Sequence, residues 1–266
     1  MKFMKWFHAA ALVMAVAGCT VMQGDIDPDT RAALAPTGKL RVAFLAAPIY
    51  ATKDPATGEL KGVAVDLGRE LAQRLGVPFE PVPHSGVPAI IAGAKAGSWD
   101  VVLMGINAER AAVMDFSAPY MEVEQGYLVR AGAPIASAAD VDRPGIRVGV
   151  IEKAGADVLL SKELRNATLI RAKTVPELYA LIAGEKADVI AATKSTLFAG
   201  APKYPGSRVL DGRILVEPLG MAVPKGRPST AAAYVRKFVE DAKAQGLVKS
   251  AIERAGLRGV TVAARG

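Results

Sequence analysis

Cysteine and histidine are almost missing from this sequence: one cysteine, Cys19, and two histidines, His8 and His84, occur in 266 residues. One thiol cannot close an internal disulfide. With His8 inside an amino-terminal leader, too few of these residues remain for a Cys–His nucleophile pair or a histidine metal cluster. The chain also lacks the GxSxG elbow, the Walker loop, the GxGxxG turn and the EF-hand loop, so those routes to catalysis, nucleotide binding and calcium binding have no sequence support. Runs of basic residues are missing too. Lys and Arg number 33 against 26 Asp and Glu, a net of +7, but they are spread singly, which excludes a basic nucleic-acid-binding surface. After the first 18 residues no apolar run is long enough to cross a bilayer.

What is there begins with the leader. Lys2 and Lys5 precede an apolar segment over residues 7–17, and Gly18 and Cys19 follow. This is the build of a secretory signal peptide over residues 1–18, too short to persist as a membrane span. Its loss removes Lys2 and Lys5 and takes the net charge from +7 to +5. Val16-Ala17-Gly18-Cys19 resembles the lipobox of bacterial lipoproteins, which implies a lipid on Cys19 and export to a membrane surface. The alternative is ordinary cleavage after Ala15-Val16-Ala17 with a free thiol. Residues 19–38, with Asp25, Asp27, Pro28 and Asp29, show no apolar period and read as a tether. About 220 residues remain, enough for one large domain or two lobes.

Within them, apolar runs and amphipathic segments alternate. Residues 40–45 form a strand, with Pro48, Ile49 and Tyr50 in the loop after it, and residues 54–58 carry the turn residues of a surface hairpin. A helix over 66–75 buries Leu67, Leu71 and Leu75, with Asp66 as its cap and Gly76 and Pro78 as its stop. A short strand at 79–82, a helix at 88–96 and a buried strand from Val101 complete a βαβαβ unit. The order then recurs. Residues 147–150 match 41–44, helices are expected at 156–164 and from Thr174, a strand at 168–171, and residues 187–191 match 99–103. Such a repeat predicts two similar parallel-sheet lobes with a cleft between them rather than one continuous sheet. Residues 126–130 and 219–223 read as the two hinge strands, so lobe 1 takes residues 39–125 and 224–266 and lobe 2 takes 126–223. An amphipathic tail over 229–246 and a shorter helix to about Ala255 are expected to pack on lobe 1.

The stretch SWDVVLMGINAERAAVMDFSAPY, residues 98–120, places Asn107, Glu109 and Arg110 just past the carboxyl end of a buried strand, where open α/β sheets put their sites. Its DVVLMGI, ER and DFSAPY pieces resemble the solute-binding proteins of bacterial polar amino acid ABC transporters. The resemblance extends from about Lys39 to about Gly256 and implies the type II periplasmic binding fold, an α/β architecture of two lobes. It further implies a monomeric, non-enzymatic, cofactor-free protein that closes on a small amino acid or organic anion and delivers it to an ABC permease. Two other classes stay open: a cyclohexadienyl dehydratase-like enzyme on the same fold, and a periplasmic ligand sensor.

The resemblance also carries residue roles. Arg110 stands where the family clamps a ligand carboxylate, for which a guanidinium fork is suited; a salt bridge to Asp115 or Glu109 is the alternative. Asn107 falls where a hydroxyl donor is usual, and Tyr50 where an aromatic wall is usual; both can instead serve local backbone. The segment before Glu109-Arg110 is two residues longer than usual. Thr193 takes the place of the aspartate that holds the ligand ammonium, and Lys153-Ala154 the place of a Gly-Thr pair. A cleft more positive than that of an amino-acid binder is therefore expected, with Lys153 and Thr193 among its ligand-binding residues. His84 either lines the cleft or sits in a solvated loop.

Overall fold

A computed structural model describes residues 26–266. The leader, Cys19 and the first part of the tether lie outside the described residues. In chain order the elements are α1 (Pro28–Leu34), β1 (Leu40–Leu45), β2 (Thr52–Lys53), β3 (Leu60–Lys61), α2 (Val63–Leu75), β4 (Phe79–His84), α3 (Val87–Ala96) and β5 (Val101–Gly105). Next come α4 (Ala108–Ala111), β6 (Met114–Phe116), β7 (Met121–Val129), β8 (Arg147–Ile151), α5 (Gly155–Glu163), β9 (Thr168–Ala172) and α6 (Val175–Ala183). The chain ends with β10 (Val189–Thr193), α7 (Lys194–Gly200), β11 (Arg208–Val209), β12 (Leu215–Pro224), α8 (Ser229–Ala244), α9 (Leu247–Arg254) and β13 (Val260–Val262). Among the described residues no helix is long and apolar enough to cross a membrane.

Strands β4, β1 and β5 run parallel in that order and are followed by antiparallel β12; β9, β8 and β10 run parallel in the same order and are followed by antiparallel β7. The repeat is therefore real at the level of topology. Its chemical basis is one motif used twice. Asp100, at the foot of β5, accepts from the backbone N–H, Nε and Nη2 of Arg41 at 3.0, 2.9 and 2.8 Å. Asp188, at the foot of β10, accepts from the same three atoms of Arg147 at 3.0, 3.0 and 2.7 Å. Each pair pins the start of a lobe's first strand to the start of its third.

The two lobes are nevertheless not separate sheets. Strand β12 pairs with β5 over 219–222 and with β7 over 215–219, and β7 pairs with β10 over 125–129, so one curled sheet runs through both lobes. The strands meet at residues 121–125 and 215–219, earlier in each strand than the expected 126–130 and 219–223. The reason is legible in the burial. Val129, Met221 and their neighbours are buried on both faces inside a lobe, whereas residues 121–125 alternate between buried and more open positions, as a strand covered on one face does. A third segment runs beside the crossing: β13 pairs with β7 over 121–123, and just before it Ser195 of α7 donates to the Arg258 carbonyl at 2.7 Å and accepts from the Arg258 N–H at 3.1 Å.

Several boundaries differ from expectation. Residues 28–34, read as tether, form α1: Asp27 accepts from the Thr30 N–H at 3.2 Å, Pro28 occupies the first turn, and fully buried Leu34 anchors a helix that packs on α8. Seven residues are too few to display an apolar period, and capping residues double as turn residues. Helix α2 starts at Val63, a turn ahead of Asp66, whose carboxylate instead meets Arg254 at 2.8 Å. Gly62 opens it with φ +143°; a Cβ there would lie 2.5 Å from the Tyr50 carbonyl, so only glycine lets the helix seat the Tyr50 loop. Strand β4 runs on to His84 through Pro81 and Pro83, which is tolerated because only β1 pairs with it. Thr174 caps α6 as its spacing predicts, accepting from the Glu177 N–H at 3.2 Å.

Candidate ligand-binding cleft

A partly open cleft, with about 560 Å³ of empty space counting that open to solvent, lies between the loops after β1, β5, β8 and β10. Its wall is mainly apolar, with Ile49, Val87, Ile90 and Ile151 among its larger side chains. Among the described residues only two charged ones line it, Arg110 and Glu217, accompanied by the polar groups of Tyr50, Gln125, Thr193 and Thr196.

Arg110 is placed by a short capped helix. The Asn107 Oδ1 accepts the Arg110 N–H at 2.9 Å and so starts α4 directly after β5. The Arg110 side chain, 4% exposed, then spans the cleft floor. Its Nη1 donates to the Gly105 carbonyl at 2.7 Å and lies 3.4 Å from Glu217 Oε1; its Nη2 donates to the Lys153 carbonyl in the other lobe at 2.8 Å. Its Nε is buried and has no partner.

Glu217 reaches the same spot from β12, and its Oε2 accepts from Gln125 Nε2 of β7. Burial raises its pKa above the ordinary carboxylate value, against the pull of Arg110 and the Gln125 amide. Glycines make the room: a Cβ at Gly105 would lie 1.9 Å from Glu217 Oε1, and one at Gly155 would lie 2.6 Å from Oε2. Burial, with Glu217 beside it, pushes the Tyr50 hydroxyl above the usual tyrosine pKa. Burial does the same to Tyr120, whose hydroxyl has no partner.

Tyr50, Arg110 and Thr193 therefore come together in the cleft. Thr193 also caps α7, its hydroxyl lying 2.9 Å from that of Thr196. Asn107 and Lys153 do not line it. The Asn107 Oδ1 serves the cap, and the residue lines a neighbouring pocket that shares Gly155 and Glu217 with the cleft. The Lys153 ammonium turns to Glu109 at 2.8 Å, on a half-exposed side chain, while its backbone takes φ 59° to aim the carbonyl at Arg110. The expectation of an unusually positive cleft fails for that reason and for a second one. The sequence reading missed Glu217, whose signal is its position as the sole charged side chain of β12, and Gln125, which is 2% exposed. Neither Asp115 nor Glu109 pairs with Arg110; Glu217 does. His84 ends β4 away from the cleft lining, with a buried Nε2 lacking a partner and a pKa lowered by desolvation. Among the described residues no group of His, Cys, Asp and Glu is arranged to hold a metal ion.

The chain is similar to several known proteins. A probable histidine-binding protein of Neisseria gonorrhoeae is 28% identical over 241 residues, covering 86% of this chain and 87% of its own. A putative ABC-transporter binding component of Wolinella succinogenes, solved with lysine, is 28% identical with a TM-score of 0.72, covering 82% of this chain and 95% of its own. The ancestral amino acid-binding protein AncCDT-1, described as a precursor of cyclohexadienyl dehydratase, is 27% identical with a TM-score of 0.74, covering 85% and 98%. The model of the bacterial extracellular solute-binding proteins, family 3, matches residues 40–255. With the two-lobed fold and the cleft between its lobes in place, the chain belongs to that family.

Proposed function

We propose that this protein is the substrate-binding component of an ABC importer, taking a small carboxylate-bearing solute, an amino acid or an organic anion, between its lobes and presenting it to a permease. The observation that carries this reading is Arg110: a buried guanidinium lining the cleft, held by carbonyls from both lobes, with an Nε–H left to donate. A ligand carboxylate accepting at that edge receives charge-assisted bonds in a mainly apolar site. Its protein partners come from both lobes, so closure assembles the site, and the stretch where β7 and β12 pair is the natural pivot.

Calorimetric titration with amino acids and organic acids tests the reading. Truncating one partner of a buried charged pair costs about 2–5 kcal/mol, so Arg110→Ala is expected to weaken the tightest ligand roughly thirtyfold or more. Unchanged affinity would remove Arg110 from the site. Small-angle scattering is expected to show compaction when that ligand saturates the wild type, because a ligand shifts the open and closed populations only if it prefers the closed form. No change in radius of gyration would contradict closure. On the same reading the mature chain is a monomer held at the membrane by a lipid on Cys19. A fatty-acid probe fed to cells is expected to label the wild type and not Cys19→Ser; equal labelling of both would end that part of the proposal.

One observation favours a second reading. A buried carboxyl with a raised pKa, Glu217, is what a proton-transferring enzyme needs in its cleft, and AncCDT-1 is described as the precursor of a dehydratase. Binding without chemistry is the reading held here, since Glu217 is already engaged by Arg110 and Gln125. Incubation with prephenate and with arogenate decides the matter, and sustained turnover lost in Glu217→Gln would establish the enzyme.

A further inference from the structure

We infer that the carboxyl-terminal segment is a strap that ties α7 to the first lobe and holds the two lobes in their closed arrangement. It lies past residue 255, where the match to the family's model ends. The inference rests on the closing reading above and deepens it.

The segment crosses from the first lobe to the second and comes back. It leaves α9, which packs on α2 and α8, and at Arg258 it reaches α7 of the second lobe. There the Ser195 hydroxyl donates to the Arg258 carbonyl at 2.7 Å and accepts from the Arg258 N–H at 3.1 Å. Ser195 is buried, so a covered hydroxyl spends its donor and an acceptor site on this one residue. The Arg258 guanidinium lies over the Phe198 ring, 3.4 Å from the centroid, a cation–π contact one turn further along α7. Gly259 then passes Lys194 so closely that a Cβ would lie 2.9 Å from the lysine Cβ, and its φ of +66° also favours glycine. From there the chain returns. The Gly259 carbonyl accepts from the Glu124 N–H at 2.8 Å, β13 pairs with residues 121–123 of β7, and the Ala264 carbonyl accepts from Lys243 Nζ of α8 at 2.7 Å. That lysine side chain is 1% exposed. Both ends of the segment are held by the first lobe and its middle by the second.

There is no slack in it. From Ala255, at the end of α9, to Arg258 the chain reaches about 10 Å at full extension. When the lobes part about the paired stretch of β7 and β12, α7 moves with the second lobe while α8 and α9 stay with the first. Either the Ser195 and Phe198 contacts break or the parting stops short. A buried hydroxyl that loses both partners is costly, so the strap favours the arrangement seen here, in which Arg110 and Glu109 of one lobe already bond Lys153 of the other. It bears on the cleft as well, because Thr193 and Thr196, which flank Ser195, line it.

The test uses the full chain carrying Cys19→Ser, with one spin label on each lobe at the exposed positions Lys95→Cys and Lys186→Cys, which are then its only thiols. Without ligand, pulsed dipolar spectroscopy is expected to show longer and more widely spread distances in Ser195→Ala, in Arg258→Ala and in a chain ending at Ala263 than in the parent. Calorimetry over the standard L-α-amino acids and succinate supplies a ligand. For the tightest of these, each variant is expected to bind about tenfold more weakly, since a closed population reduced tenfold lowers apparent affinity by that factor. The decisive arm combines Ser195→Ala with the shortened chain. A strap cut at one end is already cut, so the double variant is expected to match the single ones, whereas independent packing contacts would add. Unchanged distances in all three variants overturn the inference, and so do additive effects. If Ser195→Ala does not fold, Arg258→Ala takes its place in the combination, since Arg258 and the last three residues are exposed. Failure of every probe to bind the parent removes the solute-binding reading, and the distances decide the strap in either case.

Discussion

Replacing Asp100 by alanine is expected to cost about 3–5 kcal/mol of stability, the loss typical when one partner of a buried ion pair is removed and the other is left charged. The Asp100 side chain is 0% exposed and serves two guanidiniums, Arg41 at 2.8 Å and Arg227 at 2.7 Å, besides the Arg41 backbone N–H. Arg227 follows β12 and Arg41 lies in β1, so one carboxylate ties the returning chain to the first strand. Urea unfolding should show a lower midpoint with an unchanged slope. Asp188→Ala in the other lobe is expected to cost less, because of the two guanidiniums it serves the Arg147 side chain is 39% exposed and stays hydrated, and Arg130 keeps a second acid, Glu185, at 3.4 Å. An Asp100→Ala loss below about 1 kcal/mol, the range of surface pairs, would mean that the lobe does not depend on this anchor.

Gly105→Ala is expected to weaken ligand binding by at least about tenfold while leaving most of the fold intact. The new methyl would lie 1.9 Å from Glu217 Oε1 and 2.7 Å from Arg110 Nη1. Both charged groups must move, and overpacking of this kind costs about 1–3 kcal/mol even where the structure adapts. The site loses its geometry at the point where closure needs it, so calorimetry should show at least about a tenfold weaker ligand. Gly126→Ala is the matched control in β7: its nearest neighbour, the Lys194 side chain, is 3.5 Å away, an ordinary contact, and it should bind nearly as the wild type does. Wild-type affinity in Gly105→Ala would show that the Arg110–Glu217 pair is not where the ligand sits.

Much of the architecture was written locally. The run Val101 to Met104 is apolar on both faces and becomes the fully buried β5. Gly76 and Gly97 end α2 and α3 in the left-handed conformation, and Thr174 caps α6. Matched strand-opening residues in the two units, Arg41 with Arg147 and Asp100 with Asp188, were visible as a repeat before their ion pairs explained it. These features depend on neighbours a few residues away, so a single sequence displays them. The short elements α1 and β13 escaped because seven and three residues carry no period to read.

The sequence by itself determined the two βαβαβ units, the strand end that presents Arg110, and the membership that its motifs imply. Only the tertiary structure decided what Arg110 meets. Its acid, Glu217, is 107 residues away, and the Lys153 carbonyl that it grips is 43 away. The Lys153 ammonium goes to Glu109 across 44 residues instead of into the cleft. No propensity or periodicity extends over such distances. They are set by where β7 and β12 pair and how far the sheet curls, and that geometry turned an expected positive cleft into one with a charge of each sign.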